Sequence, residues 1–201
     1  MADRYDTTGN SEDEYYPGTF VLINLEDIRD PEELLERETE LQLAAYEVMF
    51  GSFDETLTPA LPFFYYLHHM MFASLYVWAG RSRTVGISKG GTPFCPPQNI
   101  EVMMGALFSE LGSEQWLAGL DNESFLRRAA YYVCEINAVH PFREGNGRAI
   151  RFYLDVLSAR ARSDIFDWTL VGEDEYLQAC IAGFAQNYSP MEAVLGRCAP
   201  R

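Results

Sequence analysis

Four cysteines are thinly spread through the 201 residues, Cys95, Cys134, Cys180 and Cys198, with no Cys-x-x-Cys pair. That spacing argues against a zinc site and a dense disulfide framework, and it fits a reduced compartment. No run approaches the roughly 18 apolar residues needed to cross a bilayer, and residues 1–16 lack the apolar stretch of a secretory leader. The expectation is a cytoplasmic protein with no membrane partner. Basic residues are scarce too: 15 Lys and Arg face 30 Asp and Glu, for a formal charge of −15. Long-range repulsion of that size disfavours nucleic acid as a direct partner. Linkers and internal repeats are also absent, so the chain reads as one domain over 15–201 behind a flexible, acidic tail over 1–14 that has little to bury.

Apolar and aromatic side chains, at 48% and 14% of residues, are plentiful enough to fill one substantial core. Asp30 as a cap, Pro31 in the first turn and the stripe Leu34, Leu35, Leu41, Leu43 and Ala44 predict a helix to about Phe50. Gly51-Ser52-Phe53-Asp54 interrupts it. The segment from about Pro62 to Trp78, dense in aromatics, Leu and Met, predicts a buried helix closed by Gly80. The pattern then changes, because Thr84, Val85 and Ile87 favour strand and Lys89-Gly90-Gly91-Thr92-Pro93 is turn chemistry, so one hairpin ending at Phe94 is expected. Helices are predicted again at Asn99–Leu111, Asn122–Val139, Gly147–Ala161 and Glu173–Asn187. The second of these carries Phe125, Leu126, Ala129, Ala130, Val133, Ile136 and Val139 at helical spacing. The class is all-α with one hairpin.

The segment with chemistry in it is His140-Pro141-Phe142-Arg143-Glu144-Gly145-Asn146-Gly147-Arg148-Ala149-Ile150-Arg151. Pro141 disfavours helical geometry at His140, which leaves the imidazole at a helix-to-loop corner, well matched to taking a proton from a hydroxyl near neutral pH. Gly145 and Gly147 flank Asn146, so the turn can point successive N–H groups into one concavity at the positive end of the next helix, a cradle for a di- or triphosphate. Arg148 and Arg151, three apart on that helix, share a face and can fork onto phosphate oxygens. Glu144 is the only acid in the loop and is placed to hold Mg2+ between phosphates. Phe142 reads as a core anchor, and the His68-His69 pair as part of an aromatic core helix with no spaced metal partners. Together the parts suffice for transfer of a nucleotide group.

The twelve residues resemble the signature of the Fic family, His-Pro-Phe-x-Asp/Glu-Gly-Asn-Gly-Arg-x-x-Arg, at every fixed position. Tyr16-Pro17-Gly18-Thr19, residues 68–81 and Lys89–Phe94 resemble family features as well, extending the likeness from about Tyr16 to Leu195. The resemblance implies the Fic fold, a compact helical bundle with a β-hairpin flap beside the active site. It implies a protein adenylyltransferase: His140 deprotonates a Ser, Thr or Tyr hydroxyl of a target protein, which attacks the α-phosphorus of ATP. Glu144 would hold magnesium, Gly145, Asn146 and Gly147 would bind phosphate oxygens, and Arg148 and Arg151 would grip the β- and γ-phosphates. Lys89, Gly90, Gly91, Thr92, Pro93 and Phe94 would form the flap that receives an extended target segment by main-chain pairing. Many family members carry, or receive from a small partner, an inhibitory helix of the form Ser/Thr-x-x-x-Glu-Gly/Asn whose Glu pairs with the second arginine of the signature, here Arg151. No such segment is apparent in the chain, so a small antitoxin-like partner is expected to supply that Glu, making the chain the toxin of a toxin–antitoxin pair. A DNA topoisomerase subunit such as gyrase B is the family-based expectation for a target. The alternatives are transfer of another group, phosphoryl or phosphocholine, and a non-catalytic nucleotide-binding module.

Overall fold

A computed structural model describes residues 5–8, 14–162 and 164–199. Among them are seven α-helices: α1 (Pro31–Gly51), α2 (Leu61–Phe72), α3 (Ile100–Ser113), α4 (Asn122–Val139), α5 (Asn146–Arg162), α6 (Glu173–Phe184) and α7 (Ser189–Cys198). The helix starts are chemically marked: the Asp30 carboxylate accepts from the N–H groups of Glu32 and Glu33 at 2.9 and 3.0 Å, and Asp121 caps α4 through Ser124 at 2.8 Å. Helix α4 is the hub, touching α3, α5, α6 and α7, while α2 lies between α1 and α5. Helix α5 is buried on nearly every side from Ala149 to Ala159, as a central helix must be. An aromatic cluster of Phe64, Phe142 and Tyr153, none more than 2% exposed, packs between α2 and α5, while Phe152 stacks on Tyr46 of α1. None of the helices among the described residues is long and apolar enough to cross a membrane.

A small antiparallel sheet flanks the bundle, with β1 (Asp6–Thr8), β2 (Gly86–Lys89) and β3 (Thr92–Pro93) in that spatial order. Gly90 and Gly91 join β2 to β3 with φ of +57 and +78, the mirror-image turn that two consecutive glycines allow.

Three features depart from the sequence-based expectations. The second helix stops at Phe72 instead of Trp78, because the Leu75 and Tyr76 N–H groups both turn back onto the Phe72 carbonyl. The chain then curls so that Gly80, φ +74, packs against His69, where a Cβ would meet the His69 Cβ at 2.8 Å. Helix α7 was not anticipated: Pro190 in its first turn starts it, and Met191, Val194, Leu195 and Cys198 bury its inner face. Within the expected tail, residues 1–4 and 9–13 lie outside the described residues, whereas 6–8 pair with β2 and Glu14 binds Arg143. Low hydrophobicity did not signal this strand, which is held by main-chain bonds and by Tyr5.

Candidate active site

His140 caps α4 in the left-handed region, φ +52 and ψ +62, and its N–H still closes the helix on the Ile136 carbonyl at 2.9 Å. The imidazole is buried. Nδ1–H donates to the Asn137 carbonyl at 3.0 Å, since a carbonyl can only accept; Nε2 is therefore the unprotonated nitrogen, and it accepts the Tyr5 O–H at 2.7 Å. Burial lowers the His140 pKa to about 3, so the ring stays neutral and keeps that lone pair. Phe94 stacks on the ring at 3.9 Å, which is how the hairpin reaches the loop.

A buried arginine fixes this corner. Arg83 Nε donates to the His140 carbonyl at 2.8 Å, and its two terminal nitrogens reach the carbonyls of Val139 at 3.1 Å, Val85 at 2.8 Å and Cys95 at 2.5 Å. A cation among carbonyls at a helix C-terminus is electrostatically well placed. It joins the base of the hairpin to the end of α4. Sequence reasoning passed it over, as a lone Arg before a strand carries no local signal.

The loop after His140 is held from within and from α2. The Asn146 side chain accepts from Phe142 N–H at 2.8 Å and donates to the Phe142 carbonyl at 2.9 Å. Its amide, expected on a phosphate, is thus committed to the loop, and the Gly145 N–H likewise donates to the Glu144 carboxylate at 2.9 Å. His68, fully buried, accepts the Gly80 N–H on Nδ1 at 2.9 Å and donates from Nε2 to the Glu144 carbonyl at 3.0 Å, while Phe142 stacks on it at 3.8 Å. Of the pair expected to be core, His68 is buried and props the loop, whereas His69 is exposed, with its Nδ1 3.3 Å from the Ala79 carbonyl. Gly145, φ +77, leaves no room for a side chain: a Cβ would meet Phe72 at 2.6 Å. Gly147 is less constrained, its nearest neighbour being the Arg151 guanidinium at 4.0 Å.

Glu144 lies recessed, with its side chain 35% exposed. Desolvation raises its pKa, against the opposing pull of the Gly145 N–H and Arg148. Arg148 spans from Glu38 on α1, at 2.6 Å, toward Glu144, at 3.9 Å, and lies over the Phe72 ring. Glu38 also accepts the Tyr76 O–H at 2.6 Å, so a buried carboxylate pre-orients one expected phosphate fork. Arg151 lies over the Tyr176 ring at 5.3 Å and makes no ion pair among the described residues. Lys89 places its ammonium 5.9 Å from the Tyr5 ring, whereas Gly90, Gly91, Thr92 and Pro93 form the exposed tip of the hairpin. Among the described residues no three His, Cys, Asp or Glu converge as a metal cage, so any cation here would have Glu144 as its protein ligand and take the rest from phosphate and water. A cavity of about 400 Å³ lined by Tyr65, Tyr66, His69, Tyr76, Gly80 and Arg81 includes none of residues 140–151.

Fold and loop together define a helical domain with an anion-receptive helix start beside an unprotonated imidazole. The sequence model of the Fic/DOC family matches residues 60–158. The chain is 36% identical to the probable protein adenylyltransferase y4lH of Sinorhizobium fredii, over 90% of this chain and 93% of that protein. It is 31% identical to the probable protein adenylyltransferase Fic of Escherichia coli, over 98% and 96%. The structure of the BepC protein from Bartonella tribocorum with bound AMPPNP superposes with a TM-score of 0.82 at 25% identity, over 94% and 97%. The chain belongs to the Fic/DOC family, and its activity is that of a protein adenylyltransferase.

Proposed function

We propose that this adenylyltransferase uses His140 Nε2 to take the proton of a Ser, Thr or Tyr hydroxyl on a target protein as that oxygen attacks the α-phosphorus of ATP. The observation that carries the reading is the tautomer. With Nδ1–H spent on Asn137, the lone pair of Nε2 already receives a hydroxyl, that of Tyr5, at 2.7 Å. The N–H groups at the start of α5 and the guanidinium groups of Arg148 and Arg151 bind the phosphates and set the α-phosphorus toward the attacking oxygen. Glu144 would hold magnesium, which when bound would supply neutralising charge to the leaving pyrophosphate. The β2–β3 hairpin receives the target's backbone, and Phe94 aligns it with His140.

Arg151, free of ion pairs among the described residues, is the group an outside glutamate engages to block the γ-phosphate site. That partner is a small antitoxin-like protein, and the chain is the toxin of the pair. The reaction belongs in the cytoplasm, where ATP is abundant and the four unpaired cysteines stay reduced. A DNA topoisomerase subunit such as gyrase B is the first target to examine.

The test is incubation of the chain with magnesium, a bacterial lysate and ATP labelled in the α-phosphate, beside His140→Ala. A labelled protein band absent from the variant is the expected result and identifies the target. Label arriving only from the γ-phosphate would replace adenylyl transfer by phosphoryl transfer. The regulatory half fails if the purified chain, without any partner, leaves the lysate unlabelled while its fold is intact.

A further inference from the structure

The edge of β2 that a target segment would use is already taken. Strand β1 pairs with it in antiparallel register, Asp6 opposite Ser88, Thr7 opposite Ile87 and Thr8 opposite Gly86. One step further along that register puts Tyr5 beside Lys89, the only lysine in the sequence, whose ammonium lies 5.9 Å from the Tyr5 ring. The ring meets Phe94 edge-on at 5.8 Å and His140 at 5.1 Å, with interplanar angles of 81° and 71°. Its hydroxyl donates to His140 Nε2 at 2.7 Å. Main-chain pairing, aromatic packing and the hydrogen bond to the base thus all converge on one phenol.

We propose that Tyr5 is an acceptor as well as an occupant of the site: the chain transfers an adenylyl group to its own Tyr5 hydroxyl, within a single molecule. The inference rests on the adenylyl-transfer reading above. Tyr5 Oη forms a bond to the α-phosphorus of ATP, the bond from that phosphorus to the oxygen bridging to the β-phosphate breaks, and pyrophosphate leaves with the electron pair. The phenol proton passes to His140 Nε2, and nothing is oxidised or reduced. The product is a tyrosyl phosphodiester of AMP. Burial, with the nearby Glu144 charge, raises the Tyr5 pKa, so the phenol does not ionise unaided and depends on a base in contact with it. Glu144 and Arg148, the groups expected around the phosphates, are near enough for their charges to act on the same hydroxyl. Extended backbone on the flap, an acceptor oxygen on the base and the phosphate-binding groups beyond it are the requirements of the intermolecular reaction, met here by one chain.

The test uses the full-length protein with ATP and magnesium chloride, followed by intact mass and peptide mapping. The expected result is a gain approaching one adenylyl group per chain, located on Tyr5 and absent from both Tyr5→Phe and His140→Ala. A mixture of those two variants is expected to stay unmodified, because each lacks one half of an intramolecular reaction; adenylyl groups on the His140→Ala chain in the mixture would overturn the single-molecule claim. Circular dichroism of both variants checks that the helical fold is retained. The lysate experiment runs alongside. Labelled lysate proteins with an unmodified Tyr5 overturn this proposal and leave the adenylyl reading standing, whereas no α-label on lysate or chain overturns both.

Discussion

His140 holds a backbone conformation that a non-glycine residue rarely adopts, and the surroundings must over-determine it. They do so through Ile136, Asn137 and Arg83 on one side and through the Asn146 clamp on the other. The two loop glycines differ in what they tolerate. Gly145→Ala combines φ +77 with a Cβ 2.6 Å from Phe72, so a loss of about 2 kcal/mol or more in unfolding free energy is expected, read by urea denaturation. Gly147→Ala, with 4.0 Å to its nearest neighbour, is expected to fall within about 1 kcal/mol of the parent in the same measurement. His68 and His140 both have pKa values lowered to about 3 by burial. Below pH about 6.5 the unfolded chain binds protons that these folded imidazoles refuse until about 3, so each favours unfolding as the pH falls through that window, by up to about 1.4 kcal/mol per pH unit. Asp155, pushed up to about 6 by burial, works in the opposite sense because it binds its proton first in the folded state. Urea melts from pH 7 to 5 should therefore give a shallower loss of stability for His68→Gln than for the parent, and equal slopes would refute the assignment of that loss to His68.

At the scale of elements, two polar contacts decide how the pieces meet. Arg83 ties the strand segment to the C-terminus of α4 through four carbonyls, a geometry that the guanidinium fork fits and an ammonium does not. Arg83→Lys is expected to cost about 1–3 kcal/mol and to lower adenylyl transfer more than tenfold, as the flap and His140 lose their fixed relation. Transfer at the parental rate would show that the flap needs no such tether. The Tyr76–Glu38–Arg148 network joins α1 to α5. Because Glu38 is buried and Arg148 nearly so, a double-mutant cycle of Glu38→Gln with Arg148→Met is expected to show a coupling of about 1–3 kcal/mol. A coupling near zero would reduce this pair to incidental contact.

On the whole-molecule scale, Cys134 on α4, Cys180 on α6 and Cys198 on α7 are buried and unpaired where those helices meet, and Cys95 is partly open. Burial raises the thiols of Cys134 and Cys180 to about 12, so neither is a ready nucleophile in the folded chain. Iodoacetamide should modify Cys95 first and the other three only as the helices separate, which makes their labelling rate a gauge of global opening. The sequence by itself determined the helices with strong periodicity, the hairpin written in Gly90-Gly91 and the twelve-residue loop, because periodicity, turn chemistry and motif spacing are local. It carried no sign of Tyr5 on His140, 135 residues away, of Arg83 on the His140 carbonyl, 57 away, or of Glu38 on Arg148, 110 away. Contacts of that range leave no spacing pattern in one sequence. Only packing settles them, since a buried hydroxyl, guanidinium or carboxylate must find a partner wherever the chain brings one within reach.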